Sequence, residues 1–361
     1  MQQLSRSELE RYLKSIIDPT TSIRSLRVLG ESEEKDIKAF GYGTPLLIDY
    51  QARGRQEQAV LHTISAGPFG HEHMADRAQI LLWEHATFNQ LLMHVRSIDA
   101  GAIRRNGSAV SLGDAEEFFI LTEYVEGRSY SQDLMRMKDD PTLLEIDTVR
   151  ANALCDYLVE IHRVQGSNPD LYVRRIRELV GHAECIMGLV DNYPASSDIA
   201  SRQLLEDIEH KCVSWRWRLK DRVHRLRQVH GDFHPWNILF REGDDFSLLD
   251  RSRGEWGEPA DDVTSLTMNY LFFSLQRSGR LDGNLEILFR GFWDRYLNKS
   301  GDAEMLQVAA PFFVFRGLVM AHPVWYPRLT QDVRQKLINF VQAVLAGESF
   351  DPAEVNRYCG A

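Results

Sequence analysis

The sequence predicts an α+β protein of two lobes, a small mixed lobe over residues 1–124 and a mainly helical lobe over residues 125–361. Its 361 residues exceed what a single hydrophobic core usually organises. Short alternating apolar runs suited to strands crowd the first third, whereas helical periodicity dominates the remainder. One segment past the middle interrupts the helices with a loop and a hairpin dense in His, Asp and Asn.

Taken in order, residues 7–17 read as a helix, with Ser7 at its start and Leu9 and Leu13 on one face. Residues 23–29 alternate as a strand. Gly41-Tyr42-Gly43-Thr44-Pro45 is a turn feeding two more strands, 46–51 and 58–64, joined through Arg53-Gly54-Arg55. Residues 73–92 are helical in pattern. Phe118-Phe119-Ile120-Leu121-Thr122 reads as a buried strand running into Glu123-Tyr124-Val125-Glu126-Gly127. Beyond it, Leu154, Leu158 and Ile161 mark one helix face that ends at His162, a packed structural residue on this reading. Helices follow over 171–189 and 204–226. The second carries Arg216, Arg218, Lys220, Arg222, Arg225 and Arg227, which read as a solvated face. Helices over 263–276, 284–297, 303–320 and 331–345 complete the chain.

Composition narrows the partners. Fifty-two acidic against 42 basic side chains give a formal charge of −10, a poor match to a general nucleic-acid binder. Cys155, Cys185, Cys212 and Cys359 follow neither zinc nor disulfide spacing and read as reduced thiols of a cytoplasmic protein. The first eight residues lack the apolar core of a signal peptide. No run approaches the roughly 18 uncharged apolar residues of a membrane helix. The expected partner is therefore a small molecule, with neither nucleic acid nor membrane involved.

The chemistry concentrates in His230-Gly231-Asp232-Phe233-His234-Pro235-Trp236-Asn237. Ile238-Leu239-Phe240, a polar turn over 241–245 and Phe246-Ser247-Leu248-Leu249 then form a hairpin that ends at Asp250. Asp232, Asn237 and Asp250 thus come to one edge. Phosphoryl transfer needs such a trio, because charge spreads over the moving group and the acceptor must be held in line. A carboxylate and an amide oxygen are hard ligands that suit Mg2+, here Asp250 and Asn237. Asp232 is then free to take the acceptor hydroxyl's proton. Asp-x-x-x-x-Asn with an Asp on the next hairpin is also the protein-kinase spacing. Gly231 stands where those kinases carry the Arg that grips a phosphorylated activation loop, so that mode of control is not expected.

On these residues the chain resembles the aminoglycoside phosphotransferase and choline kinase superfamily, whose loop reads His-Gly-Asp-Leu/Phe-His-x-x-Asn. Gly257-Glu258-Pro259-Ala260-Asp261-Asp262 is similar to its Gly-Asp-Pro-x-x-Asp segment. The resemblance implies a protein-kinase-like fold and transfer of the γ-phosphoryl of ATP, with Mg2+, to a hydroxyl of a small molecule. It implies that backbone at Gly41 and Gly43 covers the phosphates. It also implies that the Glu123 carbonyl and the Val125 amide pair with adenine. His230 is expected to brace the loop by hydrogen bonding.

Two positions depart from the pattern. Ser252 replaces the second acid of the family's Asp-x-Asp, leaving Asp250 alone. Alternation over Val60, His62 and Ile64 puts His62 in the slot of the phosphate-contacting Lys. Histidine is shorter and is charged only when protonated. Three explanations are open: His62 binds phosphate as imidazolium, a nearby base such as Lys38 substitutes for it, or the chain is a weak or degenerate kinase. Glu84, or alternatively Asp76, is the acid expected on the following helix. His71-Glu72-His73 is not read as a metal site, since two His at i, i+2 cannot share a helix face. The alternative to an enzyme is a nucleotide-binding regulatory module without transfer activity.

Overall fold

The computed structural model describes residues 4–29, 45–67, 70–90, 95–118, 120–195, 197 and 199–360. The chain divides into two compact units, Met1–Thr122 and Glu123–Ala361.

The first unit begins with α1 (Arg6–Ile16), which is capped by Ser5 and not by Ser7. The Ser5 hydroxyl accepts from the Glu8 N–H at 3.2 Å. Strands β1 (Ser22–Val28), β2 (Leu46–Ala52) and β3 (Arg55–Leu61) form an antiparallel sheet in that order. Arg53 and Gly54, at φ 52° and 74°, make the two-residue turn between β2 and β3, which suits the twist of a hairpin. Leu9 and Leu13 of α1 pack on Ile23, Ile48, Tyr50 and Ala52 to give a small core. Helix α2 (Met74–Phe88) follows, then a hairpin of β4 (Gly101–Ile103) and β5 (Ala109–Ser111).

The apolar run at 118–122 is not the buried strand its composition predicts. Phe118, Ile120 and Leu121 are 54%, 88% and 89% exposed, and the described residues here have no strand assignment. Apolarity makes a strand only where a partner edge completes the ladder, and none of the described strands pairs with this stretch.

The second unit is mostly helical. Its elements are β6 (Arg128–Ser129), α3 (Tyr130–Asp139), α4 (Glu145–Ile161), α5 (Asp170–Gly181), α6 (Ile186–Asp191), α7 (Arg202–Leu219), β7 (Arg227–Gln228), β8 (Ile238–Phe240), β9 (Phe246–Leu248) and β10 (Trp256–Gly257). Then come α8 (Pro259–Ser278), α9 (Gly283–Ser300), α10 (Met305–Val308), α11 (Ala310–Ala321), α12 (Gln331–Ala346) and α13 (Val355–Tyr358). Every residue of α8 from Pro259 to Leu275 is buried, and the helix packs against α9 and α11 at the centre of the core. Among the described residues, no helix is long and apolar enough to cross a membrane. All four cysteines are free and buried.

Three helices differ from the sequence expectation. The 171–189 helix is two, because His182 turns extended (ψ 149°) between α5 and α6. The 303–320 helix divides into α10 and α11, with Pro311 in the first turn of α11 where its missing N–H costs nothing. The 204–226 helix ends at Leu219. Arg225, read as solvated, is 5% exposed and forms a two-pronged pair with fully buried Glu258 at 2.7 and 2.8 Å. A buried acid 33 residues away captures the guanidinium, which helical periodicity cannot reveal.

Candidate active site

The hairpin carrying the expected trio is present. β8 pairs antiparallel with β9, Ile238 opposite Leu248 and Phe240 opposite Phe246. The Leu249 N–H extends the ladder by donating to the Asn237 carbonyl at 2.9 Å, so Leu249 lies across from Asn237 and Asp250 is the next residue. Asp250 leaves the strand in the left-handed region at φ 52°. Asp tolerates that conformation better than most side chains because it can bond its own backbone. Here Oδ1 accepts from the Ser252 N–H at 3.1 Å. The carboxylate is exposed, so its other oxygen is available.

The preceding loop is held from several directions. Gly231 sits at φ 86°, a conformation that a side chain strains and that explains glycine where protein kinases place Arg. The His230 Nδ1 accepts from the Asp232 N–H at 3.3 Å. Asn237 Nδ2 donates to the Asp232 carbonyl at 3.1 Å, which commits the amide nitrogen and leaves Oδ1 for another partner. His234 caps a 3-10 turn over Pro235–Asn237 by accepting the Trp236 N–H on Nδ1 at 3.2 Å. Its proton then lies on Nε2, 3.5 Å from Asp232 Oδ2.

Asp232 itself is paired with an arginine. Arg316 of α11 is 6% exposed, and its Nη1 donates to Asp232 Oδ1 at 2.6 Å. Its Nη2 donates to Asp261 Oδ1 at 3.0 Å, and Arg175 takes the other oxygen of Asp261 at 3.1 Å. Burial pushes the Asp232 carboxyl up, but the His234 contact and the Arg316 and Arg253 charges outweigh it. The group is held well below the usual carboxylate range.

Behind the loop, α8 supplies a second support. Asp262 is fully buried and accepts from the His230 and Gly231 N–H groups at 2.8 Å each and from His162 Nε2 at 3.1 Å. His162 is hydrogen-bonded in turn to the Tyr296 hydroxyl at 2.8 Å, so it is structural, as its place at the end of a helix suggests. Burial opposes ionisation of Asp262, yet the His162 hydrogen bond and charge and the loop amides hold its carboxyl below the ordinary value.

A family model described as the phosphotransferase enzyme family matches residues 87–296, more than half of the chain. The chain belongs to the phosphotransferase enzyme family. Its fold is α+β, with small sheets and a mainly helical second unit. Among solved structures the phosphotransferase is similar to a glucosamine kinase in complex with glucosamine, ADP and inorganic phosphate. Identity there is 17% over 60% of this chain and 60% of that chain, with a TM-score of 0.41. It is similar to an ADP-bound aminoglycoside phosphotransferase at 14% identity, over 98% and 99% of the two chains, with a TM-score of 0.33. It is also similar to choline kinase from Cryptosporidium parvum Iowa II at 9% identity, over 99% and 92%, with a TM-score of 0.33. No curated protein matches the chain.

The other expected residues of the phosphotransferase fare unevenly. Gly41, Gly43 and Lys38 lie outside the described residues. His62 does not lie on the third strand, because β3 ends at Leu61 and His62 is the exposed residue after it. It still follows the strand's alternation, since Ala59 and Leu61 pack on the α1 side of the sheet while Val60 is exposed. His62 and Glu84 line one cavity of about 720 Å³ within the first unit. Asp76 is taken up in capping α2, where it accepts the His73 N–H at 2.8 Å. Glu123 and Val125 follow the run that is not a strand, and only their backbone was expected to act. No cluster of three His, Cys, Asp or Glu side chains able to hold a metal occurs among the described residues.

Sequence reasoning missed Arg316, Arg175 and Arg253. A signal for the first was present: one arginine in the apolar stretch Phe312-Phe313-Val314-Phe315-Arg316-Gly317-Leu318 must find a buried acid.

Proposed function

We propose that this phosphotransferase moves the γ-phosphoryl of ATP to a hydroxyl of a small molecule, with Asp232 as the residue that orients the hydroxyl and accepts its proton. The observation that carries this reading is the ion-paired Asp232 at the head of a hairpin whose ladder brings Asn237 opposite the residue before Asp250. Arg316 holds one oxygen of Asp232 and keeps the group ionised, while the other, met only by the long 3.5 Å contacts of His234 Nε2 and Asn237 Nδ2, is the one to receive a proton. Asn237 Oδ1 and the open oxygen of Asp250 are the donors for Mg2+. They are hard, and too few to hold the ion alone, which suits an ion that keeps waters and shares its sphere with phosphate oxygens. When bound, the ion would neutralise charge on the phosphates. His230 braces the loop and does no chemistry. His62, with backbone at Gly41, Gly43, Glu123 and Val125, completes the proposed nucleotide contacts.

A second reading, a nucleotide-binding module without transfer, is favoured by His62 in place of lysine and Ser252 in place of an acid. ADP release against a panel of hydroxyl compounds separates the two. Asp232→Asn should cut turnover by about 10²-fold or more, the scale of a lost general base. ATP·Mg should still stabilise that variant, and Asp261 keeps Arg316 partnered in it. Turnover near that of the parent removes Asp232 from the mechanism.

A further inference from the structure

One positive charge beside Asp232 has no carboxylate of its own. Arg316 is matched by Asp232 and Asp261, and Arg175 by Asp261 and, at 3.7 Å, by Glu178. Arg253 differs. It is partly buried on the loop after Asp250, and among the described residues no carboxylate pairs with it. Its guanidinium rests 4.7 Å from the centre of the Phe315 ring, and that of Arg316 lies at the same distance from the same ring. Its Nη1 lies 3.9 Å from Cys185 Sγ. Burial pushes the Cys185 thiol up, so the sulfur stays neutral and offers no counter-charge. The Arg253 backbone is seated against the catalytic loop, since a Cβ on Gly231 would lie 3.3 Å from its Cβ. A partly desolvated cation whose Cβ lies against the glycine before the proposed base is costly unless an anion meets it.

We propose that Arg253 anchors an oxyanion, a carboxylate or a phosphate monoester, on the acceptor, so the substrate is a hydroxylated organic anion. This rests on the reading of Asp232 as the residue that receives the hydroxyl. A guanidinium binds such groups with charge-assisted, two-pronged hydrogen bonds. Arg253 adds to this side of the loop a positive charge that no carboxylate among the described residues pairs with, which disfavours a quaternary amine or a polyamine sugar.

The test is equilibrium binding by calorimetry of glycerate, gluconate and glycerol 3-phosphate, against glycerol, glucose, choline and kanamycin. It is run with and without AMP-PNP and Mg2+, on the parent, Arg253→Leu and Arg253→Lys, each checked for unchanged melting. ADP release with ATP is measured in parallel. Saturable binding confined to the anions is expected, weakened about 10-fold or more in Arg253→Leu and partly kept in Arg253→Lys. AMP-PNP affinity should be unchanged. The proposal falls if no anion of the panel binds, if Arg253→Leu binds them like the parent, or if uncharged or cationic alcohols are phosphorylated as well as the anions. It also falls if AMP-PNP affinity drops while anion binding holds, since the charge then serves the nucleotide. Anion binding lost in Arg253→Leu, with no acceptor phosphorylated by the parent, instead keeps the anion site and overturns the transfer reading.

Discussion

At the residue scale, the Asp232–Arg316 pair decides how the site responds to acid. Because the folded carboxyl lies below its unfolded value, it contributes stability above the ordinary carboxylate range, and that contribution is lost as pH falls through the folded value. The same depression keeps Asp232 ionised wherever the enzyme works, so the acidic limb of kcat/KM in the parent is not its titration. Arg316→Gln removes one of the opposing charges and leaves burial, which pushes the carboxyl up, set against only the His234 contact and the Arg253 charge. The acidic limb should then move to higher pH, while Arg316→Lys should leave it nearly in place. A pH–rate profile checks this, and an unmoved limb in Arg316→Gln would separate Arg316 from the base. Removing one partner of a buried pair should also cost about 3–5 kcal/mol of stability, read from denaturant unfolding.

At the element scale, the β8–β9 hairpin was legible because its cause is local. Ile238-Leu239-Phe240 is a short apolar run, Phe246-Ser247-Leu248 alternates, a polar turn joins them, and the ladder follows. Its prediction is equally local. Nucleotide at about 100 times its dissociation constant should stabilise the parent by roughly 2.7 kcal/mol, much of it dependent on Mg2+. Asp250→Ala should lose the Mg2+-dependent part, measured as a thermal shift with and without the ion. An equal shift in both conditions would dissociate Asp250 from the metal. The elements that were misread had distant causes. Arg225 looked like one of six solvated cations until Glu258, packed at the start of α8, claimed it. The 118–122 run has strand composition but no described ladder partner, and pairing is a property of the neighbour. Arg316 and Arg253 are invisible to motif spacing for the same reason, since the loop they serve lies far from them in sequence or across a turn.

At the scale of the whole molecule, the two units hold separate cores of very different size. Among the described residues, six form the buried centre of the first, Leu9, Leu13, Ile23, Ile48, Tyr50 and Ala52, whereas the second is organised around α8. Denaturant should therefore unfold the chain in two steps, the smaller-amplitude step first, with most helical signal lost in the second. Circular dichroism paired with tryptophan emission tests this, since Trp83 is in the first unit and the other six tryptophans are in the second. A single coincident transition would contradict it. The fully buried Asp262 has a further consequence. It grips the His230 and Gly231 amides from inside α8, so those two protons cannot meet solvent unless the helix itself gives way. In deuterated water they should be among the last in the chain to exchange, at the rate of global opening of the second unit. The Ser252 amide, tied only to an exposed carboxylate, should exchange within local fluctuations. On the proposed roles, the side of the site that carries Asp232 would thus be as permanent as the core, and the side that carries Asp250 free to breathe with each turnover.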